Sequence, residues 1–190
     1  MKKLLKIVSL SLTLSLLFSL ISLAQEEAPS SKTEEFYFND TSDFIVKNAD
    51  NLDKTEYYKD AIAIDHRVSD LFMNSNTLAA VSEKCDVSLG IHHNNSRGVW
   101  LSVLIEPQKK IPETILTSAN GKWIHAFNGG AGITSYFTQP ASYPKWTMLI
   151  EKDLGKKPAG TQIYAHVSVS ATMSYGYMPT TMRTAIATVK

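Results

Sequence analysis

Apolar and polar residues alternate along most of the second half of the chain, with the period of two that is typical of strands burying one face. In the clearest run, every second residue from Ile163 to Ala171 is apolar, and the residues between them are polar or tyrosine. Comparable runs predict about eight strands, at 85–91, 99–105, 111–118, 122–127, 133–138, 146–151, 161–172 and 180–189.

Short polar and glycine-rich segments separate these strands. The segment 94–98 (NNSRG) predicts a turn, and 154–160 (LGKKPAG) predicts a loop. Asn120-Gly121 predicts a type I′ hairpin turn, because both residues tolerate positive φ. The run 129–132 (GGAG) predicts a flexible loop, since it lacks the Gly-Lys-Ser/Thr ending of a phosphate loop and precedes a strand.

A different period precedes the strands. Asp53 and Glu56 have the spacing of a helix capping box, and Leu52 and Tyr57 have the spacing of a hydrophobic staple. Downstream, apolar residues recur at helical intervals, at Tyr57, Ala61, Ile64, Val68, Leu71 and Phe72. This pattern predicts one amphipathic helix over 54–73.

One helix followed by about eight strands excludes the alternating strand–helix units that build parallel sheets. The expected architecture for residues 36–190 is therefore a single, mainly β domain. It should form an antiparallel β-sandwich or flattened barrel, with the helix packed on one face or across one end.

The N-terminal 24 residues have the composition of a secretory signal peptide. Lys2, Lys3 and Lys6 precede an apolar stretch that ends at Ala24, a plausible cleavage position. Residues 25–35 (QEEAPSSKTEE) contain no large apolar residue and predict a disordered tether. The product is expected in the periplasm or outside the cell, without a lipid anchor, because Gln25 rather than cysteine follows the cut.

Charge and cysteine content narrow the classes of partner. Cleavage after Ala24 removes three of the 19 basic residues and leaves 16 basic against 18 acidic ones, a net charge of −2. This balance gives no reason to expect nucleic acid as a partner. Cys85 is the single cysteine, so it forms no internal disulfide and is expected to be a buried apolar residue.

Catalytic and metal-binding patterns are weak. The chain has no HExxH, CxxC or GxSxG spacing, and the adjacent His92 and His93 would point to opposite faces of a strand. Asp65 and His66, as neighbours on a helix, would not face each other. Carboxylates near strand ends leave a glycan hydrolase as a minor alternative, with Glu106, Glu113, Glu151 and Asp153 as candidates. We expect no enzyme activity, metal or cofactor.

Aromatic residues in two loops are the main candidates for a binding site. The first group surrounds the segment QPASYPK, and the second lies before the last strand; the candidates are Tyr136, Phe137, Tyr143, Trp146, Tyr175 and Tyr177. Such rings combine apolar area with a polar tip, which suits a glycan, a lipid head group or a protein partner. We expect a non-enzymatic binding domain with these loops at one end; the alternative is that the rings close the ends of the core.

The segment 87–100 (VSLGIHHNNSRGVW) places an apolar strand, a turn with Asn and Ser, and a Trp-containing strand in succession. In this it resembles a segment of the actinoporin-like cytolysins, in which a helix precedes a β-sandwich and an aromatic cluster holds phosphocholine lipids. That helix opens the mature chain, whereas the helix expected here begins near residue 54. The resemblance implies an alternative function as a membrane-active or lipid-head-group-binding protein.

Overall fold

The computed structural model describes residues 38–39, 44–73, 83–139 and 145–190. It contains one short helix, α1 (Lys54–Tyr58). The strands in chain order are β1 (Phe38–Asn39), β2 (Ile45–Asn48), β3 (Ala61–Asp70), β4 (Phe72–Met73), β5 (Lys84–Asn94), β6 (Gly98–Pro107), β7 (Leu116–Phe127), β8 (Ile133–Gln139), β9 (Met148–Gly155), β10 (Gln162–Met173) and β11 (Gly176–Thr188).

The strands form two sheets packed face to face, which confirms the predicted β-sandwich. Sheet A has the order β1-β8-β7-β10-β11-β4, and sheet B has the order β2-β9-β6-β5-β3. All pairings are antiparallel except that of the two-residue β1 with β8. The outer surface of sheet A is called face A below, and that of sheet B is called face B.

The core lies between the two sheets and follows the alternation of the sequence. On β10, the inward residues Ile163, Val167 and Val169 are fully buried, and Trp123 of β7 is fully buried near them. Cys85 is also buried in this core, as expected for a small apolar residue. Its burial raises the pKa of the thiol to about 12, so the group stays protonated.

The helix predicted over 54–73 is wrong beyond its first turn. Asp53 does cap α1, because its carboxylate accepts hydrogen bonds from the backbone N–H groups of Thr55 (2.9 Å) and Glu56 (3.2 Å). The chain then turns into β3, which pairs along its length with β5. Residues 61–70 include the β-branched Ile62, Ile64 and Val68, which favour a strand, and pairing with the edge of β5 overrides the helical spacing.

The hairpin predicted at Asn120-Gly121 is also wrong. β7 runs through both residues and pairs with β10 on one side and β8 on the other. A β-carbon at Gly121 would lie 2.5 Å from the ring of Phe137. The glycine is therefore needed for close packing inside the sheet, not for a turn.

Side chains join the two sheets where β3 lies beside β11. The Asp65 carboxylate accepts a hydrogen bond from the backbone N–H of Thr184 at 3.0 Å, and the hydroxyls of Ser69 and Thr181 lie 2.8 Å apart. A side chain thus satisfies a backbone donor at the edge of β11, which limits the edge's capacity to pair with another chain.

The expected signal peptide (1–24) and tether (25–35) lie outside the described residues. In the part of the chain that is described, no helix is long and apolar enough to cross a membrane.

Candidate functional site

Three of the six predicted aromatic residues are exposed. Tyr136 projects from face A on β8, and Tyr177 projects from the same face on β11, where it stacks on Phe72 with ring centroids 5.8 Å apart. The strand registers separate Tyr136 from Tyr177 by three strand spacings and four residues, roughly 20 Å. Tyr175 is exposed in the turn between β10 and β11. The two tyrosines of face A therefore do not form one compact site.

Trp146 and Tyr175 lie at one end of the sandwich. The indole N–H of Trp146 donates to the carbonyl of Ile111 at 3.0 Å, and the backbone N–H of Tyr175 donates to the carbonyl of Glu113 at 3.1 Å. Trp146 is half-buried and its polar atom is occupied, so it contributes to the structure of this end. The two predicted loops thus approach the same short segment.

The remaining two candidates have other outcomes. Phe137 is buried in the core, where its ring contacts Phe44 and Trp123 at centroid distances of 5.8 and 5.9 Å. Phe137 is therefore a core residue and does not contribute to an exposed binding surface. Tyr143 lies outside the described residues.

Two grooves cross face A. The Tyr136 groove has a volume of about 340 Å³ and is lined by Asn120, Gly121, Lys122, Tyr136, Phe137, Thr138, Ser168, Ser170 and Thr180. The Tyr164 groove has a volume of about 410 Å³ and is lined by Ile124, Ala126, Gly129, Gly130, Gly132, Gln162, Tyr164 and Ile186. Both volumes fall in the range usual for small-molecule sites, and each groove has a tyrosine in its wall.

Among the described residues, the side chains of face A are apolar or uncharged except for Lys122 on β7. Met182 and Ile186 are each 59% exposed and Tyr136 is 64% exposed. Lys122 is the one charged residue among those that line the two grooves. Beside it, burial and the charge of Lys122 lower the pKa of His166, whose Nδ1 lies 2.9 Å from the Thr184 hydroxyl.

The segment that contains α1 covers the part of face B around His92, whereas Ile64 and Val68 on β3 stay exposed. The ring of His92 is stacked on Trp100 at 4.9 Å and on Tyr58 at 5.9 Å, and Tyr57 contacts it at 4.8 Å. The guanidinium of Arg97 lies 4.5 Å from the centre of the Trp100 ring and ends the stack. These contacts fix α1 against the sheet.

A buried carboxylate, Glu151, connects this stack to the surrounding charges. It is fully buried, accepts a hydrogen bond from the hydroxyl of Tyr57 (2.7 Å) and pairs with Lys47 (2.7 Å) and Arg97 (3.1 Å). Burial acts to raise the pKa of Glu151, but the bonds from Lys47, Arg97 and Tyr57 outweigh it and the pKa is lowered. Burial and the nearby carboxylate raise the pKa of Tyr57, which keeps its proton.

His92 is a structural residue of face B. Its Nε2 lies 2.8 Å from the Ser102 hydroxyl, and both side chains are fully buried. Burial lowers the pKa of His92 to about 4, so its ring is neutral at pH 7. A β-carbon at Gly90 would lie 2.5 Å from Nε2, which explains the glycine below the ring. In the described ranges, no group of three or more His, Cys, Asp or Glu side chains is placed to hold a metal ion.

The binding residues predicted from the sequence do not include the exposed residues in the middle of sheet A. Tyr164, Met182 and Ile186 of face A lie inside strands, at positions that alternate with buried residues. The sequence does contain a signal for such a surface, which is a large apolar or aromatic residue on the otherwise polar side of a strand. Tyr164 is such a residue in the segment 161–172.

The segment that resembles the actinoporin-like cytolysins forms β5, a turn and β6, and its Trp100 is buried beneath Arg97 and His92. Trp100 therefore contributes to the covered face rather than to an exposed aromatic cluster. Compared with known proteins, the chain matches no protein family, no curated protein and no solved structure.

Proposed function

We propose that this protein is an exported binding domain that holds a glycan across face A without cleaving it. The observation that carries the proposal is the pair of grooves, each with a tyrosine in its wall, on strands β8, β7, β10 and β11, which pair in that order. A sheet surface of this kind is formed before the ligand arrives, which reduces the entropy cost of binding.

The lining chemistry suits sugars. A sugar ring presents apolar C–H faces, which pack on the flat ring of a tyrosine, and a rim of hydroxyls that both donate and accept hydrogen bonds. In the Tyr136 groove, Ser168, Ser170 and Asn120 offer hydroxyl and amide groups next to the tyrosine. The Tyr164 groove offers Gln162 beside Tyr164 and an apolar floor. Nucleic acid would require many cations, whereas Lys122 is the one in these two linings.

The position of the carboxylates supports binding of the glycan rather than its hydrolysis. Glycoside hydrolysis uses two carboxyl groups on either side of the scissile bond. No Asp or Glu is among the residues that line either groove. Three carboxylates considered from the sequence, Glu106, Glu151 and Asp153, lie on sheet B and are paired with lysine or arginine.

The proposal is tested by titrating purified protein with a panel of soluble oligosaccharides in a calorimeter. Tyr136→Ala and Tyr164→Ala should each weaken binding by about tenfold, because each removes one stacking ring. Tyr175→Ala is the matched control, since Tyr175 is half-exposed but lies in the turn at the end of the sandwich. Tyr175→Ala should bind as the unaltered protein does.

Either of two results would contradict the proposal: no oligosaccharide binds, or Tyr175→Ala weakens binding as much as the two groove variants. The alternative function, a membrane-active protein, makes a separate prediction. It requires dye release from vesicles containing phosphatidylcholine or sphingomyelin, which a glycan-binding domain should not cause.

A further inference from the structure

A third pocket lies on face B, between α1 and strands β3, β5 and β6. It has a volume of about 160 Å³. Ile64 and Leu104 form its apolar part, and Tyr58 and Lys54 border it on the side of α1. Four further polar residues, His66, Asp86, Ser88 and Glu106, complete the lining, and Glu106 is paired with Lys54.

His66 and Ser88 are direct cross-strand partners in β3 and β5, so their side chains project from the same face at close range. The Nδ1 atom of His66 lies 2.8 Å from the Ser88 hydroxyl oxygen. This is the distance at which an imidazole accepts the proton of a serine that attacks a carbonyl.

Asp86 lies two residues before Ser88 on the same strand face. Its carboxylate oxygen lies 3.9 Å from Nε2 of His66, on the opposite side of the ring from Ser88. A carboxylate at that position favours the tautomer with the proton on Nε2, which leaves the Nδ1 lone pair for Ser88. Asp86 also accepts a hydrogen bond from the side-chain amide of Gln108 at 3.0 Å, which fixes its orientation.

Tyr58 supplies a donor on the other side of the serine. Its hydroxyl is buried at the pocket and has no hydrogen-bond partner among the described residues. Burial raises the pKa of Tyr58, and the charge of Glu106 adds to this effect even though the adjacent Ser88 hydroxyl opposes it. The phenol therefore keeps its proton and can donate a hydrogen bond to an anion that forms beside Ser88.

We propose that Ser88 and His66 form a nucleophilic centre that hydrolyses small carboxylic esters, with Asp86 as a positioning residue and Tyr58 as the oxyanion donor. The Ser88 oxygen attacks the ester carbonyl as its proton passes to Nδ1 of His66. The tetrahedral oxyanion accepts a hydrogen bond from Tyr58. Its collapse breaks the bond to the alkoxide, which leaves as an alcohol with the proton from His66.

Water completes the cycle. It attacks the acyl-serine as His66 takes one of its protons, and the carboxylic acid leaves as that proton returns to Ser88. Ester and water are thus converted to acid and alcohol with no other reactant. The volume of about 160 Å³ suits a small acyl group such as acetyl, and Ile64 and Leu104 provide an apolar surface for its methyl group. This site lies on the opposite sheet from face A and does not depend on the proposed glycan binding.

The test incubates the full protein with p-nitrophenyl acetate, follows p-nitrophenol release above the spontaneous rate, and locates the acetyl group by peptide mass spectrometry. The expected result is acetylation at Ser88. Ser88→Ala and His66→Gln should each lower turnover by about 100-fold or more, and Tyr58→Phe by about tenfold. Ser174→Ala, which changes an exposed serine in the turn between β10 and β11, should have no effect.

The role of Asp86 has its own readout. Asp86→Asn should shift the His66 ring toward the tautomer with the proton on Nδ1, measured by nitrogen NMR of the imidazole, and should lower turnover. His66 is half-exposed, so His66→Gln is expected to fold. This variant keeps the test decisive if Ser88→Ala does not fold. Acetylation at lysine or tyrosine instead of Ser88, no acetylation, or full turnover in His66→Gln would overturn the proposal.

Discussion

The two outer faces of the sandwich differ in how far their large side chains are covered. Face B carries a buried carboxylate, a neutral histidine and a stack of rings, and the segment that contains α1 covers them. Face A leaves large side chains exposed, namely Met182 and, in the walls of its two grooves, Tyr136 and Ile186. The inner faces are alike, since both carry mainly apolar residues at alternate positions, with a few buried polar side chains such as Arg183 and Lys152 among them. The difference indicates that the covered part of face B around His92 serves stability, whereas the open surface of face A is available for contact.

Glu151 should give the largest effect if this comparison holds. Glu151→Ala leaves Arg97, Lys47 and the Tyr57 hydroxyl without their shared partner and should lower the free energy of unfolding by about 3–5 kcal/mol. Urea unfolding measures this change. Asp153→Ala, which removes the exposed partner of Arg97, should cost less than about 1 kcal/mol. Equal costs for the two variants would contradict the structural role of face B.

Acid should destabilise face B through His92. Its pKa is about 4 in the folded protein, against an ordinary value of 6.5 for histidine in the unfolded chain, so the unfolded chain binds more protons between these values. Stability is therefore complete above pH 6.5 and falls as the pH drops towards 4, by about 3 kcal/mol from this group. Below this range, protonation of Glu151, whose pKa is lowered, removes more.

The measurement is urea unfolding at several pH values for the unaltered protein and for His92→Gln. The variant should lose most of the stability change between pH 6.5 and 4. An unchanged pH profile in the variant would show that His92 is not the responsible group.

Face A should tolerate polar substitution. Met182→Ser and Ile186→Ser should each change the free energy of unfolding by less than about 0.5 kcal/mol, because both side chains are mainly exposed. Val167→Ser, on the buried side of β10, is the matched control and should cost several times more, because it places a hydroxyl in the core. Thermal or urea unfolding distinguishes these results. A large cost at Ile186 would mean that face A is covered and structural.

Much of the fold follows from local pattern. The alternation in 161–172 gives β10 almost to the residue, and Asp53 does begin a helix. The failures have a common cause, which is pairing with distant strands. β3 takes its conformation from β5, and Gly121 is placed by the ring of Phe137. Neither partner is evident from the residues on either side.

The site is less accessible to sequence reasoning for the same reason. Tyr136 and Tyr164 belong to different strands and are brought to one face by the register of β7 with β8 and β10. His66 and Ser88 also become neighbours through register, because β3 pairs with β5. The helix predicted from the sequence did not bring these two residues together. Chemistry that arises across strands requires the pairing to be known.

The most direct test of glycan binding on face A is to follow backbone amide signals by NMR while an oligosaccharide that binds is titrated into the protein. The account predicts that the signals that shift belong to β7, β8, β10 and β11 around Tyr136 and Tyr164, with β5 and β6 unaffected. Shifts centred on Tyr57, His92 and Trp100, with no change on face A, would contradict it.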